Sequence, residues 1–116
     1  VAVADDDIHN AHELRISSQA GTTPEERASM AATLAPPQPF TDAFRALHPT
    51  ARGHFTYWSQ RARNRSRNRG LRLDYFLLSA CVPRAALLDC VHMQHLHGSD
   101  HCPVILTLDI DAIQLC

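Results

Sequence analysis

The sequence predicts an α/β layered sandwich, built mainly of antiparallel strands with two short helices, rather than a parallel βαβ fold. Three observations carry that prediction. Two proline-bounded helical segments lie together between residues 23 and 47, alternating apolar segments follow from residue 53 onward, and a short apolar run comes first. Strands therefore flank the helices instead of alternating with them. No internal repeat is visible.

Residues 1–4 are an apolar run that meets Asp5, Asp6 and Asp7, as in a buried strand delivering polar groups at its C-terminal end. The run has no start signal, so a preceding strand is expected. Residues 9–22 are polar and irregular, the composition of a surface loop. Thr23 then offers a capping hydroxyl, Pro24 suits the first helical position, and Glu26 stands three residues after the cap. Met30 and Leu34, four apart, place apolar contacts on one helix face, and Pro36 and Pro37 stop the helix. Phe40, Phe44 and Leu47 predict a second short helix over residues 41–47, ended by Pro49.

Residues 53–58 read as a short aromatic strand and residues 61–70 as a loop of arginine and asparagine. Leu71, Leu73, Tyr75 and Leu77 alternate with Arg72, Asp74, Phe76 and Leu78, the pattern of a central strand with one wholly apolar face. Residues 87–96 and 104–110 supply the last two strands, with Gly98 and Ser99 turning the chain between them.

With 116 residues, 45% of them apolar, and a formal charge of −1, the chain fits one small globular unit. It has no apolar stretch approaching the roughly 20 residues of a membrane span and no secretory leader, so a soluble intracellular protein is expected. Cys81, Cys90, Cys102 and Cys116 lack close paired spacing, and reduced thiols are expected. Every basic side chain is arginine. Arg61, Arg63, Arg65, Arg67, Arg69 and Arg72 crowd the middle of the chain, far in sequence from the acidic triplet at residues 5–7.

Acidic and histidine side chains recur at predicted strand ends: Asp6 with Asp7, then Asp74, then Asp100 with His101. Strand ends are where a rigid sheet can hold ligands for a cation. A hard divalent ion, magnesium or alternatively manganese, takes carboxylate oxygens and keeps its water, which suits scattered aspartates. A histidine can donate to a phosphate oxygen while a carboxylate on its other nitrogen fixes its orientation, and Asp74 with His101 is the predicted pair. Cys90, His92, His95, His97, His101 and Cys102 are a second cluster, but no pair has zinc-finger spacing, so a zinc site is not expected. Trp58 and Cys102 are expected in the core.

Gly98-Ser99-Asp100-His101-Cys102-Pro103 resembles the terminal signature of exonuclease III-type abasic-site endonucleases, and residues 72–79, RLDYFLLS, resemble their strand of the same wording. Thr23-Pro24-Glu25-Glu26-Arg27, the segment from Phe40 to Pro49, and Phe55-Thr56-Tyr57-Trp58 are similar to further family words in the same order. The resemblance covers roughly residues 1–110. It implies that residues 1–116 are the C-terminal half of a four-layer α/β sandwich of the endonuclease/exonuclease/phosphatase type. A metal-binding glutamate, a phosphate-binding asparagine and a leaving-group tyrosine would then belong to an N-terminal half, without which an apolar sheet face stays uncovered.

The activity implied is magnesium-dependent hydrolysis of DNA 5′ to an abasic sugar in base excision repair, by a nuclear monomer acting on duplex DNA, with this chain alone incomplete for catalysis. By the same resemblance Asp100 helps hold the ion or its water, His101 contacts the scissile phosphate, and Asp74 orients His101. Asp6-Asp7-Ile8-His9-Asn10-Ala11-His12 aligns with the family's GDLNVAH. Asp7 then serves as metal ligand or water-positioning carboxylate, and His9 stands where the family has asparagine at the phosphate. The family's following acidic stretch is shortened here to residues 13–16. Tyr57, Leu71 and Leu73 correspond to walls of the abasic-sugar pocket, with Leu71 in place of a tryptophan, and Arg67 and Asn68 sit in a loop used against the DNA backbone. The alternative is a non-catalytic DNA-binding remnant of the same family.

Overall fold

The first helix forms where the capping signals stand. In the computed structural model, which describes residues 1–12, 18–37 and 40–113, α1 runs Pro24–Leu34. Thr23 Oγ1 accepts the Glu26 N–H at 3.3 Å and the Glu26 carboxylate accepts the Thr23 N–H at 3.2 Å. That reciprocal box contributes about 1 kcal/mol. Arg27 reaches back from α1 to the Val3 carbonyl (3.0 Å) and Asp5 (2.9 Å), tying the helix to the start of the chain. No α1 residue is fully buried, so the apolar face expected at Met30 and Leu34 is only partly covered. The shortened segment at residues 13–16 lies outside the described residues.

The second helix, α2, is Ala43–Leu47, capped by Asp42, whose carboxylate accepts the Arg45 N–H. It starts two residues later than expected. Thr41–Asp42 (β1) pairs instead with Leu77–Leu78 (β2), antiparallel, with Thr41 opposite Leu78 and Asp42 opposite Leu77. Phe44 and Ala43 then bury against Leu78, Leu87 and Cys90 in one core cluster.

The expected strand over residues 71–78 is broken. Between the bridge at Leu71 and the ladder at β2, the backbone N–H groups of Leu73 (2.9 Å) and Asp74 (3.1 Å) both donate to the Thr56 hydroxyl. A side-chain acceptor satisfies those donors, so no ladder forms there. Residues 53–58 likewise form no ladder, although Tyr57 bridges Leu71 on one side and His101 on the other, and Leu71 also bridges Ile8. Four segments thus lie side by side, in the order Ile8, Leu71, Tyr57, His101. Residues 1–4 are not a strand: Ala2 donates to the Gly21 carbonyl (2.7 Å), a loop partner, and a 3-10 turn follows at Asp5–Asp7.

Leu87–His92 (β3) and Val104–Leu108 (β4) pair antiparallel, with a register shift between Leu87 and Asp89. β3 stops short of residue 96 because the chain turns at once, Gln94 donating to His92 and Leu96 to Met93. Gly98, at φ 123°, completes the reversal in a conformation L side chains avoid. Every strand pairing among the described residues is antiparallel. The cross-strand partners Val91 and Ile105 are both exposed, beside the polar exposed pair Asp89 and Thr107.

Phe55, Trp58 and Cys102 form a separate buried cluster. Cys90 and Cys102 are buried free thiols, but Cys81 is in a disulfide, against the expectation of reduced thiols throughout. Spacing along the chain does not report which thiols meet in space. Cys116 lies outside the described residues. Among them, no helix is long and apolar enough to cross a membrane.

Candidate functional site

Thr56 is the hub that brings two distant motifs together. It is fully buried, its hydroxyl holds the backbone of Leu73 and Asp74, and its carbonyl accepts the Cys102 N–H at 2.8 Å. Close by, a side chain on Gly70 would come within 2.7 Å of Phe55 Cβ, Trp58 Nε1 and the Tyr57 carbonyl, so this approach of backbones demands glycine.

The result is a dyad. His101 Nδ1 stands 2.7 Å from Asp74 Oδ2, with the two side chains 42% and 43% exposed. The Tyr57 ring lies 5.1 Å from the imidazole, centroid to centroid. Since Asp74 is an acceptor, Nδ1 carries the proton and a ligand meets Nε2, which donates to an anion when the ring is doubly protonated. Tyr57 and Leu73 pack on Ile8 and Leu71, so the three residues expected to wall a sugar pocket do come together.

Asp7, expected as a metal ligand or water-positioning carboxylate, has its side chain wholly buried, accepting from Arg45 (2.5 Å), from Arg72 Nε (2.7 Å) and Nη2 (3.1 Å), and from the Ala4 N–H (3.1 Å). Alternation explains this: Ile8 bridges Leu71 and packs with it, so Asp7 and Arg72, one position away on each segment, turn to the side of Phe44. Burial alone would raise the Asp7 pKa, but the hydrogen bonds and charge of Arg72, with Arg45, hold it below the ordinary carboxylate value.

The partly exposed neighbour Asp6 pairs instead with Arg52 at 2.8 Å, and lines an open depression of about 480 Å³ with His9, Asn10 and Arg67. Asn68, also expected on DNA, lines the same depression and is exposed, while its oxygen accepts from Trp58 Nε1 (3.0 Å) and its amide donates to the Gly53 carbonyl (2.9 Å). Asp100 lines a different hollow, of about 410 Å³, with Ser59, Arg63 and Arg65. Among the described residues no group of three His, Cys, Asp or Glu side chains could hold an ion, and Asp7 is already neutralised by guanidinium groups. The described residues do not by themselves complete a magnesium site.

Sequence reasoning missed the centre of this frame. Arg72 is fully buried and bidentate to two carboxylates, Asp7 and Asp42, the latter at 2.6 and 3.1 Å, and its guanidinium stacks 4.4 Å from the Tyr75 ring. The signal was present, since a charged residue inside an apolar alternation must find a partner.

His92 was read only as part of a cluster. It is buried, stacks on Phe44 at 4.3 Å, and neither ring nitrogen has a hydrogen-bond partner. Burial, then the charges of Arg72 and His54, pushes its pKa down to about 4. The unfolded state therefore takes the proton first. Stability is complete above about pH 6.5 and falls as pH drops towards about 4, by at most about 3 kcal/mol. Denaturation midpoints should drop between about pH 7.5 and pH 4.5, and His92→Phe should shrink the drop. An unchanged drop in that variant refutes this assignment.

The comparisons with known proteins agree on one group. DNA repair nuclease APEX1 of Danio rerio is 42% identical over 91 residues, which is 78% of this chain and 28% of that protein. A DNA-(apurinic or apyrimidinic site) endonuclease of Dictyostelium discoideum is 36% identical over 92 residues, 79% of this chain and 25% of its own length. Among solved structures, AP endonuclease LMAP from Leishmania major superposes with a TM-score of 0.83 at 38% identity, covering 91% of this chain and 32% of that one. No protein-family model matches the chain. The fold is the AP endonuclease fold, mixed α/β with antiparallel strands and two helices. The chain belongs to the exonuclease III-type AP endonuclease family and corresponds to a C-terminal part of it. It spans about a quarter to a third of the length of these relatives.

Proposed function

We propose that the protein carrying these residues hydrolyses DNA phosphodiester bonds 5′ to abasic sites, in base excision repair. The observation that supports this most directly is the dyad, an imidazole oriented by Asp74 with its other nitrogen available to a phosphate oxygen. His101 contacts the scissile phosphate, Asp74 orients it, and Tyr57, Leu71 and Leu73 exclude an intact base. Arg67 and His9 meet the DNA backbone from the depression they share. Residues 1–116 form the C-terminal part of the catalytic domain, and the rest of the domain is supplied by sequence outside them. Magnesium, or manganese, serves the reaction, with Asp100 as one ligand and the others from outside these residues. The enzyme acts as a monomer on duplex DNA in the nucleus.

The sequestered Asp7 favours one second reading, a DNA-binding remnant without hydrolysis. One assay separates the two. The natural chain that contains these residues is incubated with a duplex bearing a stable abasic-site analogue, first with magnesium and then with chelator. Incision on the 5′ side that stops on chelation is expected. Salt-dependent binding without incision supports the remnant and overturns the hydrolytic reading.

A further inference from the structure

We infer that Arg65 is a positioning residue for the dyad, shaping the loop that delivers Asp100 and His101 instead of gripping the nucleic-acid backbone. The inference rests on the hydrolytic reading above. Arg65 belongs to a run whose other members, Arg61, Arg63, Arg67 and Arg69, are all exposed, yet it is itself partly buried. Its guanidinium is already committed. Nη1 donates to the Ser99 carbonyl at 2.9 Å, and Nη2 donates to the Gln94 carbonyl at 3.0 Å and to the Leu96 carbonyl.

Three carbonyls from the turn between β3 and β4 therefore converge on one cation. Carbonyl oxygens brought together in a tight reversal repel one another, and a planar fork of donors offsets that repulsion. The guanidinium carbon also sits 4.6 Å from the Trp58 ring centroid, a cation–π contact that fixes its plane. Trp58 in turn donates its backbone N–H to the Asp100 carbonyl (2.9 Å) and its indole N–H to Asn68 (3.0 Å). From the far end of the same loop, the Ser99 hydroxyl accepts the His101 N–H at 3.1 Å. Arg65 thus holds one side of a turn whose other side carries the imidazole two residues away. Lysine cannot replace it, because one ammonium on a flexible stem lacks the flat fork and the stacking face.

The test compares Arg65→Gln and Arg65→Lys with Arg67→Gln in the natural chain that carries these residues. Steady-state cleavage of an abasic duplex over a range of salt is read beside the histidine ring NMR signals. Both Arg65 variants should lose kcat roughly 10–100-fold, as misplacing a catalytic group by about an ångström does, with KM and the salt slope near wild type. His101 ring signals should move towards those of Asp74→Asn while the His92 signals stay put. Arg67→Gln should instead raise KM and flatten the salt slope by about one unit. A raised KM and a flatter slope with kcat intact in Arg65→Gln, or unmoved His101 signals, would overturn the inference. If the wild-type chain cuts no abasic DNA, the hydrolytic reading fails by itself, and the His101 signals still decide the role of Arg65.

Discussion

Replacing Arg72 with alanine should destabilise the fold by about 3–5 kcal/mol, because it strands two buried carboxylates that share one guanidinium. Asp7 and Asp42 receive four hydrogen bonds from Arg72. Arg45 still reaches Asp7, but it does not replace a cation bidentate to both. Chemical denaturation followed by fluorescence of the single tryptophan, Trp58, reads the change as a lower midpoint at unchanged slope. The pH dependence gives a second check. Asp7 has a folded pKa below its ordinary value, so its contribution is present above about pH 4 and is lost as pH falls through the lower folded value. In the variant the buried Asp7 loses the guanidinium that favours its charged form, so the gap between the two proteins should narrow below about pH 4. A loss under about 1 kcal/mol at neutral pH would show that the network is not the keystone its geometry makes it.

The other large effect concerns chemistry rather than stability. Asp74→Asn in the natural chain that carries these residues should lower kcat about 10²–10⁴-fold while leaving KM near wild type. The asparagine side chain carries no charge, so the doubly protonated ring that donates from Nε2 to a phosphate loses the anion that stabilises and orients it. With both side chains over two-fifths exposed, little stability should be lost. A variant with normal kcat and a raised KM would mean that Asp74 contacts substrate and does not orient His101.

Some of this was legible along the chain. The α1 cap was readable because Thr23 and Glu26 are three residues apart and complete each other without help from elsewhere. The proline stops, the start of α2 within two residues, the presence of the last two strands and the turn at Gly98 were readable from similarly local signals. The pairing of Asp74 with His101, 27 residues apart, was expected from acidic and histidine groups at predicted strand ends, and the family resemblance implies the same pair. The alternation over residues 71–78 set Leu71 and Leu73 together, yet it predicted a continuous strand that a buried threonine hydroxyl interrupts, and beyond that break Tyr75 meets Arg72 from the face expected opposite.

What the amino-acid order determined unaided was therefore local: caps, turns, and the succession of motifs that marks the family. Tertiary structure alone decided the partners. It locked Asp7 between Arg45 and Arg72, turned Arg65 inward onto carbonyls of the β3–β4 turn, and left Asp6 and His9 facing the open depression. The reason is physical. A cap is satisfied by donors within a few residues, whereas the state of a charged side chain depends on desolvation and on partners 30 to 65 residues away, distances that no short pattern can express.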